Sequence, residues 1–233
     1  MIAFRGADIT TAAPDIKIED IHVSPLQLNP TARQRPILPG ADYVRMRIGT
    51  RTIRVNFAVL NDDRDARQVQ LSNLVRWARS ECPEALALPY RDGKIIYAVC
   101  TGLPEPSARQ WWENKLSITW TAYDPFFYSP AKSCACGSPF TILGDAVPKV
   151  WITRTLAAAA SNQTYSDGTH TMTFSTVPAG NLVIDLNHQT AAVGGASIMQ
   201  YWPLTGAEFI PPVIGSQTIT GTGTVHWREA WQE

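Results

Sequence analysis

The sequence predicts a mainly β protein, in which a β-rich scaffold with one helix precedes a small C-terminal β-sandwich. Residues 51–60 and 116–122 alternate apolar and polar side chains with the period of a half-buried strand. Residues 62–80 carry the one helical pattern of any length. After residue 140, short β-rich runs alternate with turn residues at the spacing typical of a sandwich.

Length and composition set the class of protein. A chain of 233 residues corresponds to one or two domains, and 45% hydrophobic with 17% charged residues describes a folded protein. The formal net charge is zero, so no global basic field attracts nucleic acid or a membrane surface. Because the sequence also lacks an apolar run of about 20 residues and a secretory signal pattern, we expect synthesis and assembly in a cytoplasm.

The helix between residues 62 and 80 has two faces. Asp62 is the expected N-cap, and Pro83 prevents the helix from continuing. The expected core stripe follows helical spacing and consists of Leu71, Leu74, Val75 and Ala78. A second arc is expected to face outward, either as exposed single residues or as a contact with another subunit. This arc contains Ala66, Val69, Asn73 and Trp77.

A hairpin is expected to pair residues 43–48 with residues 51–60 across a type II′ turn at Gly49-Thr50. Its arginines are expected on the wet face, where they contact phosphate, water or a partner subunit. Together with the outer arc of the helix, they supply the candidate subunit-interface residues. These are Arg45, Arg47, Arg51, Arg54, Val69, Asn73 and Trp77.

Two segments without regular period frame the expected domains. The segment 31–42 is expected to be either a surface loop or an arm that reaches a neighbouring subunit. Residues 132–139 are small and rich in Ser, Pro and Gly, which is typical of a linker. The expected boundaries are therefore an N-terminal domain at 1–131, a linker at 132–139 and a C-terminal domain at 140–233.

The motifs do not favour catalysis, a metal or a cofactor. Cys134 and Cys136 supply half of a metal site, but neither a second cysteine pair nor suitably spaced histidines accompany them. The sequence contains no nucleophile elbow, P-loop or dinucleotide fingerprint. Asp185 and Glu208 are a possible carboxylate pair, although single carboxylates usually lie at the surface. Aromatic residues of the C-terminal half favour core packing over stacking on a sugar. They are Trp151, Tyr201, Trp202, Trp227 and Trp231.

The order of the motifs resembles the distal tail protein family of long-tailed phages. A basic strand and a helix with a Trp near its end are followed by L-x-L-P-Y-x-D-G-K-x-x-Y and by the corner A-Y-D-P-F-F-Y. The positions that carry the match are Arg51, Ile53, Val55, Phe57, Trp77, Leu86, Leu88, Asp92, Tyr97, Asp124, Pro125 and Tyr128. The segments LVIDLNHQTAAVGG, AEFIPPVIGSQTITGTG and TVHWREAW, with Phe209 and Gly215, resemble the family's second, galectin-like domain.

The resemblance implies an N-terminal β-sandwich with one helix and an extended hairpin, followed by a galectin-like β-sandwich. It further implies a structural protein of the virion tail or of a tail-like particle, assembled in the host cytoplasm. There it forms a ring, hexameric in the family, that joins the tail tube to the baseplate or tail tip, and DNA meets it only in transit through a channel. A carbohydrate-binding module that contacts the host surface is the alternative function, although the C-terminal domain lacks a long insertion.

Overall fold

The computed structural model describes residues 2–34, 41–60, 63–91, 93–103, 115–203 and 208–232. The chain is mainly β, as the sequence predicts, and it divides into two compact units. Unit 1 comprises Met1–Phe127 with Gln232–Glu233, and unit 2 comprises Tyr128–Trp231. In the described part of the chain, no helix is long and apolar enough to cross a membrane.

Unit 1 contains one long helix and antiparallel strands. Its elements are β1 Ala3–Phe4, β2 Ala7–Asp8, α1 Ile9–Ala12, β3 Ile16–Val23, β4 Leu28–Gln34, β5 Ala41–Ile48, β6 Arg51–Val59, α2 Arg64–Ala78, β7 Glu84–Ala87, β8 Ile95–Gly102 and β9 Lys115–Ala122, with β10 Phe127–Tyr128 at the unit boundary in the sequence. Seven strands are joined in the order β3-β6-β9-β8-β7-β1-β2, and β4 pairs with β5 separately. This arrangement leaves β4 and β5 as an extended hairpin, as expected for the fold class.

The core of unit 1 lies between these strands and α2. Strand β6 alternates buried and more exposed residues along its whole length, because successive side chains point to opposite faces. Ile53, Val55 and Phe57 are fully buried there, and they share one hydrophobic cluster with Trp120 of β9 and Leu74 of α2. The alternation read from the sequence therefore identifies the inner face of this strand correctly.

Helix α2 differs from the expectation at its N-cap and at two positions of its faces. It begins after Asp63, whose side chain accepts a hydrogen bond from the Asp65 N–H, whereas Asp62 lies outside the described residues. Trp77 is only 6% exposed, and Val75 of the expected core stripe is half-buried. Trp77 follows Leu74 by three residues, which places it only about 60° from Leu74 around the helix axis. The expectation that Trp77 faces outward is therefore wrong.

The hairpin expected between residues 43–48 and 51–60 is also wrong. Strand β5 pairs antiparallel with β4, from Leu28 opposite Ile48 to Gln34 opposite Ala41. Strand β6 instead lies between β3 and β9, so both of its edges are occupied by other strands. The segment 31–42, expected to be irregular, supplies residues to both β4 and β5, and its residues 35–40 lie outside the described part.

Unit 2 consists almost entirely of antiparallel strands. They are β11 Lys132–Ala135, β12 Pro139–Ile142, β13 Ala146–Leu156, β14 Ala160–Ser166, β15 Thr171–Val177, β16 Gly180–Asp185, β17 Thr190–Val193, β18 Ala196–Ser197, β19 Gly215–Thr218 and β20 Thr224–Trp231, with a 3₁₀ turn at Met199–Tyr201. Within unit 2, one sheet runs β18-β17-β16-β13-β20-β11, and the pairs β12–β19 and β14–β15 are separate. Buried side chains from all three groups form one core, including Ile152, Phe140 and Phe174.

The expected linker at 132–139 belongs to this β structure. Strand β11 pairs with β20, from Lys132 opposite Trp227 to Ala135 opposite Thr224, and Pro139 begins β12. Small residues suit a strand at the edge of a sheet as well as a linker, so composition did not distinguish the two cases. The two-residue strand β10 follows Pro125 and contains Phe127 and Tyr128, which are both buried.

Candidate assembly surface

The β4–β5 hairpin carries an exposed apolar face. Met46 and Ile48 are two residues apart in β5 and share one side of the ribbon, with exposed fractions of 46% and 45%. Val44 is 56% exposed and adjoins them at the register shift of the β4–β5 pair. Opposite Ile48 lies Leu28, which is 56% exposed, and opposite Met46 lies Pro30. This set of five, hereafter the apolar hairpin face, presents large hydrophobic side chains to solvent in the single chain.

The opposite side of the same hairpin is polar. Arg45 lies opposite Thr31 and Arg47 lies opposite Asn29, and both arginines are exposed. These two candidate interface residues thus share one side of the ribbon, as expected. Arg54 lies on a different strand, β6, where it is also exposed and its Nη2 lies 3.4 Å from Ser117 Oγ.

Arg51 does not belong to this exposed set. Its side chain is 2% exposed, its guanidinium lies 5.4 Å from the centre of the Phe127 ring, and its Nη2 donates to the Gln232 carbonyl of unit 1 at 2.5 Å. Burial, followed by the nearby Arg91 cation, lowers the pKa of Arg51. Residues two apart in a strand share a face, so the position of Arg51 relative to buried Ile53 already placed it inside. Its expected position on the wet face is wrong.

The three candidate interface residues of helix α2 differ in their exposure to solvent. Val69 is 59% exposed and Asn73 is half-buried, so both reach the surface of unit 1. Trp77 is held inside: its Nε1–H donates to the Ala7 carbonyl at 2.9 Å, and its ring packs against Phe4 at 5.9 Å between centroids. The outer surface of α2 therefore offers Val69 and Asn73 to a partner, but not the Trp77 side chain.

Sequence reasoning did not identify the apolar hairpin face, although a signal was present. Val44, Met46 and Ile48 alternate with arginines in the same way that residues of a half-buried strand do. The expected partner strand, residues 51–60, has apolar residues of its own that would make this side part of the core. The actual partner, β4, supplies only Leu28 and Pro30, and two strands are too few to bury an apolar face.

Neither the cysteines nor the Asp185 carboxylate belongs to a metal-binding cluster among the described residues. All four cysteines are free, and burial raises the pKa of the Cys100 and Cys134 thiols, which makes their reactive thiolates scarcer. Among the described residues, no group of three or more His, Cys, Asp or Glu side chains is arranged to hold a metal ion. Asp185 does not pair with Glu208 but accepts hydrogen bonds from His188 and Asn187 in a tight turn.

The antiparallel strands of both units, the one long helix among the described residues and the exposed apolar hairpin face define a two-unit, mainly β protein. No family model and no curated protein sequence matches the chain. Among solved structures, it is similar to the Dit (gp 19.1) protein of SPP1, described as a paradigm of the hub adsorption apparatus in Gram-positive infecting phages. That similarity has a TM-score of 0.73 at 15% identity and covers 98% of each chain.

A second similar structure is a chain of the phage P2 baseplate in its activated conformation with Ca. The TM-score is 0.51 at 8% identity, covering 92% of this chain and 90% of that one. The chain therefore has the fold of the phage Dit proteins along almost its entire length. This confirms, for the fold, the resemblance to the distal tail protein family that the sequence motifs indicate. Of those motif positions, Asp92 lies outside the described residues.

Proposed function

We propose that this protein is a structural component of a phage tail or tail-like particle, where copies of it form a ring, hexameric by resemblance. The ring joins the tail tube to the baseplate or tail tip. The observation that carries the proposal is the apolar hairpin face, which the single chain leaves exposed. The Dit fold over nearly the whole chain supports the assignment to a tail.

The apolar hairpin face is best explained by a second copy of the chain. Large apolar side chains that lie next to one another at the surface mark association surfaces. An isolated two-stranded ribbon is also only marginally stable in water. Arg45 and Arg47 on the reverse side keep that side solvated, so only one side of the ribbon is suited to burial. Because every copy carries the same ribbon, a head-to-tail contact can repeat from copy to copy, and it closes into a ring when its rotation divides a full turn.

The partner surface on the neighbouring copy is expected to include the exposed residues of α2 and β6. Val69 supplies apolar area there, while Asn73 and Arg54 supply polar contacts at the rim. The further partners are the tail tube protein and the proteins of the tail tip or baseplate hub. DNA is a partner only in transit, and a net charge of zero suits a channel that does not hold phosphates. We propose no catalytic activity, no cofactor and no membrane partner.

The oligomeric state tests the proposal. Light scattering of the purified chain, alone and with its tail partners, is expected to give a mass several times the 25.7 kDa of one chain. Met46→Lys combined with Ile48→Lys places two charges on the apolar hairpin face and is expected to abolish that assembly. Both side chains are exposed in the single chain, so the free energy of unfolding should change by no more than about 0.5 kcal/mol per site.

A matched control uses the other side of the same ribbon. Thr31→Lys adds a charge to the polar side, next to Arg45, and should leave the mass of the assembly unchanged. Val69→Asp should weaken assembly through α2 without unfolding unit 1. A wild-type chain that remains monomeric at high concentration with its tail partners present would contradict the proposal. Equal assembly of the double variant and the control would remove the hairpin from it.

A further inference from the structure

Unit 2 contains a cleft that the proposed tail role does not use. It has a volume of about 550 Å³ and lies beside the turn that precedes β15, the 3₁₀ turn and the segment 208–211. Specific small-ligand sites commonly have volumes in this range. Aromatic rings, a carboxylate, an imidazole and a side-chain amide line it, and they combine the apolar surface and hydrogen-bonding groups that a hydroxyl-rich ligand requires.

An aromatic pair forms the apolar part of the cleft. Trp202 and Phe209 are stacked with 4.4 Å between ring centroids and 15° between ring planes, and both remain half-exposed. Phe174, which is fully buried in the core, packs edge-on against Trp202 at 5.2 Å and fixes it in place. The pair is therefore a rigid aromatic surface whose exposed part faces the cleft, and it costs little entropy to order on binding.

The imidazole of His170 is oriented by a neighbouring carboxylate. Asp167 accepts hydrogen bonds through Oδ1 from the N–H groups of Thr169 and His170, and its Oδ2 lies 3.0 Å from His170 Nδ1. When Nδ1–H donates to that carboxylate, Nε2 is the free nitrogen of a neutral ring. His170 Nε2 lies 3.9 Å from the Glu208 carboxylate, which is too long for a hydrogen bond. Two neighbouring ligand hydroxyls can therefore donate separately, one to Nε2 and the other to the Glu208 carboxylate.

Gln189 adds a side-chain amide to the cleft and has an unusual backbone conformation. It lines the cleft as the last residue of the turn before β17, and its φ is +54°, in the left-handed region that Gly and Asn occupy more readily than Gln. Residues kept in such conformations are concentrated at functional sites. Here the amide provides both a donor and an acceptor at the edge of the cleft.

The charges of the cleft select among hydroxyl-rich ligands. None of the described residues that line it is Lys or Arg, while Glu208 contributes an exposed negative charge. A phosphate- or carboxylate-bearing polymer would be repelled by this carboxylate without a compensating cation. We propose that the cleft binds a neutral saccharide, with one sugar ring against the Trp202–Phe209 pair and hydroxyls bonded to His170, Gln189 and Glu208.

Binding by the full chain tests this site directly. Maltotetraose, cellotetraose and chitotetraose would each be titrated to millimolar concentrations and followed by calorimetry and by tryptophan fluorescence. At least one is expected to bind, and tetragalacturonate, an anionic saccharide, is expected to bind at least tenfold more weakly than that one. Glu208→Gln and His170→Gln should each weaken binding about tenfold, which corresponds to one lost hydrogen bond to a charged or oriented partner.

The chain provides a matched control, because the Asp–His turn occurs twice. Asp185 and His188 repeat the geometry of Asp167 and His170, with 2.8 Å between Asp185 Oδ2 and His188 Nδ1, but His188 does not line the cleft. His188→Gln should therefore leave saccharide binding unchanged. The thermal midpoint of each variant identifies any general loss of folding, and Glu208→Gln changes a side chain that is 78% exposed.

Results opposite to these expectations overturn the proposal. Absence of binding by all three neutral saccharides excludes the ligand class, and equal binding of tetragalacturonate excludes the charge argument. Unchanged binding in both cleft variants, or an equal loss in His188→Gln, excludes the location. The mass of the oligomer in light scattering is independent of these titrations, so failure here leaves the proposed ring intact and failure of the ring leaves the cleft intact.

Discussion

At the scale of single residues, Trp77 shows how a side chain expected at an interface serves the subunit core. It packs edge-on against both Phe4 and Trp120, at 5.9 and 6.0 Å between ring centroids. Its carbonyl accepts a hydrogen bond from Arg5 Nη2, so the end of α2 is attached to the N-terminal strands by both side chain and backbone. The residue therefore determines where the helix lies on unit 1.

Replacement of Trp77 is expected to destabilise unit 1. Trp77→Ala removes a 6% exposed indole from the core and leaves the Ala7 carbonyl without its donor, which should lower the free energy of unfolding by about 3–5 kcal/mol. Urea denaturation followed by circular dichroism measures the change. Val69→Ala on the exposed side of the same helix should cost less than about 0.5 kcal/mol. A similar small cost for both variants would contradict the buried position of Trp77.

His226 is expected to make stability depend on pH. Its ring stacks on Trp151 with 9° between planes, and Nε2 lies 2.8 Å from Thr153 Oγ1. Burial lowers the pKa of His226, so the unfolded chain binds a proton more readily than the folded one. The stability that the neutral ring contributes is present above the unfolded pKa of about 6.5 and is lost as the pH falls toward the folded value.

The measurement compares wild type with His226→Gln, in which this ring cannot titrate. The free energy of unfolding of the wild type, relative to the variant, should decrease when the pH is lowered from about 7.5 to about 5.5. Other titrating groups contribute equally to both proteins, so the difference isolates His226. A difference that is constant over this range, or that increases toward acid, would show that folding does not favour the neutral ring.

At the scale of elements, the sequence predicts the type of an element and its buried face better than it predicts which strands pair. Residues 51–60 were predicted as a half-buried strand, and β6 buries Ile53, Val55 and Phe57 as expected. The alternation was a sufficient signal because the period of a strand is a local property. The partner of β5 is not local information: Gly49-Thr50 suits a tight turn, yet β5 pairs backward with β4.

Most of the candidate interface residues fall into an exposed group and a buried group. Arg45, Arg47, Arg54 and Val69 are exposed, because charged residues and single apolar residues at polar positions usually are. Arg51 and Trp77 are buried. Their spacing predicts this burial, because Arg51 is two residues from Ile53 in a strand and Trp77 is three residues from Leu74 in a helix. The apolar hairpin face and the cleft in unit 2 depend instead on contacts between segments far apart in sequence, which local patterns do not encode.

At the scale of the whole molecule, the described residues form two hydrophobic cores that share no residue. One contains Phe4, Phe57 and Trp120 of unit 1, and the other contains Ile152 and Phe174 of unit 2. Each core is closed by strands of its own unit, and a unit of about 100 residues is large enough to fold around one core. We therefore expect the two units to lose their structure in separate transitions.

A matched pair of variants tests this expectation. Ile118 of β9 and Ile184 of β16 are both fully buried, so Ile118→Ala and Ile184→Ala remove the same atoms from different cores, each at a cost of about 2–5 kcal/mol. Amide hydrogen exchange in increasing denaturant assigns each transition to its residues. Ile118→Ala should lower protection only in residues 2–127, and Ile184→Ala only in residues 128–231. If either variant lowers protection equally in both ranges, the cores unfold as one cooperative unit, and the division of the chain is geometric but not energetic.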